Sequence, residues 1–403
     1  MADRAPTSSG HDQPEHLSAA PAASSTTQRP FADPDQDPAV RLHTLQSAAG
    51  LAARVTNHGA TLVGLDVPDA DGVAADVVLG FDSIDGYRSP ANPYFGATIG
   101  RVANRIAHGR LSIGGEEFRL AANEPPHHLH GGQARSFDKV LWDVVEADGR
   151  QVTLRYRSPH GEEGYPGDVE VVATYRLIGR ELQVTYVATT NRTTPLNMTN
   201  HAYFNLGGAG SGDILDHEVC IDADRVTTVD ERLIPTGGVT HVLGTALDFR
   251  GPWRVGERIE SLADVAGAHG YDHNFVLGHG PGDRGGGDAA CACHVHTEPA
   301  TSTTPRAVAV VRHPPSGRFL ELATNQPCLQ FYSGNGLDGV DGKLGARYER
   351  HAGLCLEPQH APDSVNQPQW PPILLEPGAT YHHKTIYRFS VAEEPTSPCD
   401  SPR

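Results

Sequence analysis

The sequence predicts an all-β protein, built as a large antiparallel β-sandwich with long loops. Apolar residues recur with a period of two, which is the spacing of side chains on one face of a strand. We find no helical stripe longer than a few turns. Glycine (44) and proline (31) together make up about 19% of the 403 residues, against roughly 12% in average usage. A chain this rich in turn formers favours many short strands over long helices.

The clearest strands are two neighbouring runs in the middle of the chain. Odd positions from Val169 to Leu177 are apolar, and so are the even positions from Leu182 to Tyr186. The short polar link at Gly179-Arg180 joins them as a predicted hairpin. The same alternation recurs at 152–156, 308–311 and 319–322.

Composition also divides the chain into a folded part and segments that we expect to be disordered or flexible. Residues 1–37 are rich in Ala, Ser, Thr, Pro and Asp, with Leu17 and Phe31 as the large apolar side chains after Met1. Such a segment buries too little surface to offset its ordering entropy, so we expect a disordered extension. Residues 38–392 form the predicted sandwich domain. We expect a flexible insert at 278–306 and a loose tail at 393–403.

Charge and targeting patterns restrict the partners. With 32 basic and 49 acidic residues, the formal net charge is −17. A surface this acidic repels phosphate backbones and anionic lipids, so neither nucleic acid nor a membrane is an expected partner. No stretch approaches 18 consecutive apolar residues, and the first residues lack the apolar core of a secretory signal. We expect a cytoplasmic protein, and its state as monomer or homodimer stays open.

One group of soft metal ligands stands out. Cys291, Cys293, His294 and His296 lie within six residues, which is a spacing that zinc could use. The group lies in the polar insert, however, and no second cysteine or histidine pair supports it. The chain also has no P-loop and no GxSxG nucleophile elbow. We therefore predict no metal and no cofactor.

Three residues could carry acid–base chemistry. Glu357 ends a short apolar run, and apolar neighbours can raise the pKa of a carboxyl toward that of a general base. His201 lies among amide and hydroxyl side chains that could fix its tautomer. His130 precedes two glycines, which would let a ligand approach the backbone. Each also has a purely structural interpretation, as a buried paired carboxyl, a hydrogen-bonded histidine and a turn histidine.

Several longer strings carry a resemblance, in this order along the chain: FGATIGRVANRI, LHGG, SFDKVLWDV, GEEGYPGD, TPLNMTNHAYFNLGG, YDHNF, QPCLQFYSGN and LCLEPQHAPDSVNQ. Together the sequence resembles the aldose 1-epimerase (galactose mutarotase) family from about residue 40 to 390. The resemblance implies the galactose mutarotase-like supersandwich. It also implies an isomerase that interconverts the α and β anomers of free aldohexoses, such as glucose and galactose, without a metal or nucleotide.

The resemblance also implies roles for individual residues. Glu357 matches the general base and His201 the general acid, which we expect as an ionised carboxylate beside a protonated imidazole. The remaining matches are predicted to hold or line the sugar: Asn104, Arg105, His130, Tyr203, Asp248 and Gln326.

Three other functions compete with this interpretation. A hexose-6-phosphate 1-epimerase would need a cationic cluster for phosphate, which the acidic composition disfavours. A non-catalytic sugar-binding protein could keep the pocket, although the presence of both Glu357 and His201 argues against it. A glycoside hydrolase or lyase normally needs two carboxylates, whereas the pair predicted here is Glu with His.

Overall fold

The computed structural model describes residues 1, 27–35, 37–262, 269–278 and 304–391. The first half of the described chain contains β1 (Thr27–Pro30), β2 (Arg41–Gln46), β3 (Ala52–Thr56), β4 (Thr61–Pro68), β5 (Ala74–Asp76), β6 (Thr98–Ile99), β7 (Arg105–Ile106), β8 (Arg110–Ile113), β9 (Glu116–Arg119), β10 (His128–Leu129), β11 (Asp143–Ala147), β12 (Gln151–Ser158), β13 (Val169–Ile178), β14 (Glu181–Thr190) and β15 (Thr194–Pro195). The second half contains β16 (Thr199–Asn200), β17 (Tyr203–Phe204), β18 (Glu218–Ile221), β19 (Arg225–Val229), β20 (Pro235–His241), β21 (Trp253–Arg254), β22 (Asp272–Val276), β23 (Arg306–His313), β24 (Arg318–Thr324), β25 (Cys328–Tyr332), β26 (Val340–Asp341), β27 (Arg347–Tyr348), β28 (Leu354–Gln359), β29 (Leu374–Leu375) and β30 (Tyr381–Ser390).

Helical structure in the described residues is short. The α-helices are α1 (Ile84–Arg88) and α2 (Val255–Arg258). Single 3₁₀ turns lie at Ala107–Gly109, Phe137–Lys139, Glu162–Gly164, Ile259–Leu262, Lys343–Gly345 and Ser364–Asn366. No helix in the described ranges is long and apolar enough to cross a membrane.

The strands form three larger sheets. A nine-stranded sheet has the order β11-β12-β13-β14-β30-β24-β23-β18-β21, and a six-stranded sheet has the order β17-β28-β25-β22-β19-β20. Strands β1 to β5 form a five-stranded sheet in chain order. Every strand pair within these three sheets is antiparallel.

One apolar core joins the large sheets. It contains Tyr175 and Val184 of the nine-stranded sheet, Leu62 of the five-stranded sheet, and Phe331 and Leu356 of the six-stranded sheet. Strands β13 and β14 alternate buried and more exposed positions, as their sequence predicts, and they pair directly as a hairpin. The all-β antiparallel sandwich is therefore confirmed.

The N-terminal segment differs from its sequence-based expectation. Residues 27–30, within the segment expected to be disordered, form β1 and pair with β2. Phe31 is buried, with its ring centroid 5.8 Å from that of Tyr87. This single aromatic side chain gives the otherwise polar segment enough apolar surface to dock.

Other expectations fall on residues that the structure does not describe. These are residues 2–26 and 36 of the N-terminal extension, the tail at 393–403, and the insert at 278–306 apart from its ends. The cysteine and histidine group at 291–296 lies in the same undescribed part. Within the described ranges, no group of three or more His, Cys, Asp and Glu side chains could hold a metal ion.

Candidate active site

The candidate site lies on the polar face of the six-stranded sheet. Strand register places Glu357 of β28 opposite Gln330 of β25, and Gln330 opposite Asn274 of β22. Because neighbouring residues of a strand point to opposite faces, the residues between them point into the core, as Leu356 and Phe331 do. Strand alternation therefore collects polar side chains on one buried face, around Glu357.

His201 reaches the same face from the short link between β16 and β17. Its backbone is held by two hydrogen bonds to the neighbouring loop: its N–H donates to Ala97 O (2.9 Å) and its carbonyl accepts from the N–H of Gly96 (3.0 Å). His201 Nε2 lies 3.7 Å from Glu357 Oε1, and the two side chains are only 7% and 4% exposed. Residues 156 positions apart thus face each other, with both side chains shielded from solvent.

Aromatic rings and a thiol fix the orientation of the His201 ring. The ring stacks on Tyr203, with centroids 5.1 Å apart, and Tyr94 lies on it at 5.9 Å. His201 Nδ1 lies 3.5 Å from the Sγ atom of Cys355. The hydroxyl of Tyr203 donates to Pro93 O at 3.0 Å, so Tyr203 contributes its ring to the wall of the site.

One loop brings His130 against this histidine, and Asn104 of a second loop holds His130. The His130 and His201 rings meet edge to face, with centroids 5.2 Å apart. The N–H of Asn104 donates to His130 Nδ1 (3.2 Å), and the N–H of His130 donates to Asn104 O (3.0 Å). Gly131 allows the close approach, because a Cβ there would lie 1.8 Å from Gly100 O. Gly131, the first glycine after His130, thus serves the packing of the two loops.

Arg105 is a cation at the site, and it is already paired. Its Nε and Nη2 atoms donate to Glu124 Oε2 and Oε1 at 2.6 and 2.8 Å. Asp272 is a half-buried carboxyl close enough to influence the pKa values of both Arg105 and Glu357. Its Oδ1 accepts a hydrogen bond of 2.6 Å from Gln330 Nε2. The site therefore contains a second carboxyl beside Glu357.

Burial shifts the central pair toward its neutral forms. Desolvation raises the pKa of Glu357, and the negative charge of Asp272 raises it further. Desolvation lowers the pKa of His201 to about 4. This differs from the expectation of an ionised carboxylate beside a protonated imidazole. Both descriptions contain one proton in the pair, however, and they differ only in which partner carries it.

The structure does not bring two of the predicted sugar ligands to this site. Asp248 is held by Arg250 in a two-pronged ion pair of 2.7 and 2.8 Å, and the adjacent Phe249 packs on the core face of the sheet. Gln326 lies before β25, four residues from Gln330, which is about 13 Å along an extended chain. Its Nε2 donates to Asn325 Oδ1 at 2.9 Å.

Asp272, Gln330 and Asn274 are the site residues that our sequence reasoning missed. Two of them carry buried amide atoms without a hydrogen-bond partner among the described residues: both polar atoms of Asn274, and Oε1 of Gln330. The signal was present in the strings YDHNF and QPCLQFY. In each string, polar residues alternate with the apolar residues that fill the core.

Comparison with known proteins identifies the family. The sequence pattern described as aldose 1-epimerase matches residues 41–388. The chain belongs to the aldose 1-epimerase family. It is 49% identical to the galactose mutarotase of Mus musculus over 343 residues, covering 85% of this chain and 92% of that protein. It is 36% identical to the aldose 1-epimerase of Escherichia coli (strain K12), covering 89% and 98%.

A solved structure of the family has the same fold. The aldose epimerase homologue of C. elegans superimposes with a TM-score of 0.76 at 30% identity, covering 87% of this chain and 99% of that one. The prediction of an aldose 1-epimerase, made from the motif strings, is thereby confirmed.

Proposed function

We propose that the protein interconverts the α and β anomers of free glucose and galactose, and that Glu357 and His201 exchange the protons. One observation carries the assignment of roles. A carboxyl and an imidazole lie 3.7 Å apart, and both side chains are almost completely buried. Ring opening of a pyranose needs one group to take the proton of the C1 hydroxyl and another to protonate the ring oxygen.

The single proton of the pair explains how the cycle closes. Glu357 as carboxylate takes the C1 proton while His201 as imidazolium protonates the ring oxygen, which gives the open-chain aldehyde. Rotation about the C1–C2 bond exposes the other face of the aldehyde, and the two transfers then run in reverse. Each positioned proton transfer is typically worth about 10² to 10⁴ in rate.

Burial of the pair stabilises the step of the cycle in which both side chains are neutral. After ring opening, Glu357 is a carboxylic acid and His201 is a neutral imidazole, which are the forms that burial favours. Because charges are costly at low dielectric, desolvation stabilises the pair while the sugar is open. The two reverse transfers of ring closure then restore the ion pair for the next cycle.

The polar groups around the pair match the hydroxyls of a sugar. Asn104, Arg105, His130, Asp272 and Gln330 supply donors and acceptors at the edges of the pocket. We propose that they bind the hydroxyls. Oε1 of Gln330 is buried without a partner among the described residues, which is costly, and a sugar hydroxyl would satisfy it. We do not assign this role to Asp248 or Gln326.

Comparing free and phosphorylated sugars tests the substrate class. We expect the protein to accelerate equilibration of α-glucose and α-galactose, followed by polarimetry, and to act at least tenfold less efficiently on glucose 6-phosphate. The reason is that Arg105 is already held by Glu124 in a two-pronged contact. Faster turnover of the phosphate would identify a hexose-6-phosphate 1-epimerase. Binding of sugar without acceleration would identify a non-catalytic binding protein.

The pH profile tests the one-proton pair through Asp272. Asp272→Asn removes a negative charge that raises the pKa of Glu357, so Glu357 loses its proton at lower pH. The pair then loses its only proton earlier as the pH rises, and the alkaline limb of kcat/KM moves to lower pH. The acidic limb stays near the pKa of His201, about 4.

Asp248→Asn is the matched control for this pH experiment. It makes the same chemical change at a carboxylate that is paired with Arg250, so we expect an unchanged profile. An alkaline limb that stays in place or moves upward in Asp272→Asn would contradict the one-proton pair.

A further inference from the structure

The proposed cycle requires a particular protonation state at Nδ1, the second ring nitrogen of His201. Proton exchange at Nε2 requires Nε2 to alternate between carrying a hydrogen and being bare. A neutral imidazole keeps one hydrogen, so Nδ1 must carry it whenever Nε2 is bare. The group that faces Nδ1 therefore decides whether Nε2 can act as the exchange site.

Cys355 is the side chain that faces Nδ1. It lies on β28, two residues before Glu357, and is paired in register with Tyr203 of β17. Its side chain is completely buried, and its Sγ atom lies 3.5 Å from His201 Nδ1. Burial raises the pKa of the thiol, so the sulfur stays neutral and can accept a hydrogen bond.

We propose that Cys355 is a positioning residue that accepts the Nδ1–H of His201 and so keeps Nε2 as the proton-exchanging atom. The inference rests on the role of His201 in the proposed function. Sulfur is a neutral and weak acceptor, so it does not raise the pKa of the imidazolium strongly. A carboxylate at this position would raise that pKa and make His201 a weaker acid.

His130 provides an internal contrast. Its Nδ1 faces a backbone donor, the N–H of Asn104, so its hydrogen lies on Nε2 in the neutral ring. His130 is thus fixed as a donor, since its Nδ1 lone pair is occupied. The group that faces Nδ1 thus gives each histidine a different role. His201 exchanges protons with the sugar, and His130 donates a hydrogen bond to it.

The tautomer of His201 in the sugar-free wild-type protein tests this directly. We expect nitrogen NMR of the histidine side chains at neutral pH to show a protonated Nδ1 and a bare Nε2 for His201. The opposite tautomer would mean that the thiol donates to Nδ1, and it would overturn the proposal. This reading needs no turnover, so an absence of mutarotation would refute the proposed function and leave this result standing.

Variants of Cys355 provide the kinetic test. We expect Cys355→Ala to lower kcat roughly fivefold, the effect of one ordinary hydrogen bond, with KM unchanged and a mixed His201 tautomer. Cys355→Ser keeps an acceptor, so kcat should stay within about twofold while the stronger oxygen acceptor raises the pKa of His201. Cys328→Ala is the matched control, because this buried thiol contacts the backbone of Ala361.

The variants can also overturn the proposal. A Cys355→Ala protein with the tautomer, kcat and His201 pKa of the wild type would show that the thiol only fills space. An equal loss in Cys328→Ala would show that the effect belongs to core packing.

Discussion

Replacing Glu357 with glutamine is expected to slow anomer interconversion by about 10² to 10⁴-fold. Glutamine has nearly the same shape, so the strand pairing with Gln330 can remain. An amide cannot take the proton of the C1 hydroxyl, and the proton of the pair is lost with the carboxyl. The measurement is polarimetry of α-glucose and α-galactose, with circular dichroism to show that the β-structure is retained.

Glu321→Gln is the control for this substitution. Glu321 is also a buried carboxylate, but it lies on β24 and pairs with Arg388. We expect this variant to change thermal stability and leave the catalysed rate within about twofold, because Glu321 lies on the nine-stranded sheet, away from the candidate site. Wild-type rates in Glu357→Gln would remove Glu357 from the mechanism.

The second large effect is expected for His201→Asn. Asparagine can donate a hydrogen bond but cannot carry the extra proton that the ring oxygen receives, so kcat should fall by about 10² to 10⁴-fold. His313→Asn makes the same change outside the pocket, where the ring stacks on His217 at 4.6 Å, and should be nearly silent. A His201→Asn enzyme with normal kcat would assign the acid to another group.

Combining the two substitutions separates a working pair from two independent contributions. Because both partners act in the same ring-opening step, we expect the double variant to be about as slow as the slower single variant. Independent roles would instead multiply the two losses.

Strand periodicity made the fold predictable. Predicting which residues share the candidate site would have required the register between strands that are distant in the chain. The hairpin of β13 and β14 could be recognised because its alternation is local. Gln330 and Asp272 can be recognised as site residues only once β25 and β22 are known to lie in the same sheet as β28. Asp272 is then seen to accept a hydrogen bond from Gln330. Asp248 and Gln326 had suitable chemistry in suitable strings, yet local ion pairing and strand position keep them apart from Glu357.

Protonation states were the other part that sequence could not give. A carboxyl and a histidine in one pocket suggested an ion pair by mutual attraction. The structure shows that both are almost completely buried, and desolvation then favours the neutral forms. The tautomer of His201 likewise depends on Cys355, a residue that the motif strings contain without marking its role.

A crystal structure of the Glu357→Gln variant with bound galactose tests most directly whether the two side chains handle one sugar. We predict that the amide of residue 357 lies within hydrogen-bond distance of the C1 hydroxyl, and that Nε2 of His201 lies within the same distance of the ring oxygen. A sugar bound with its C1 and ring oxygen beyond the reach of both side chains would contradict proton exchange by this pair.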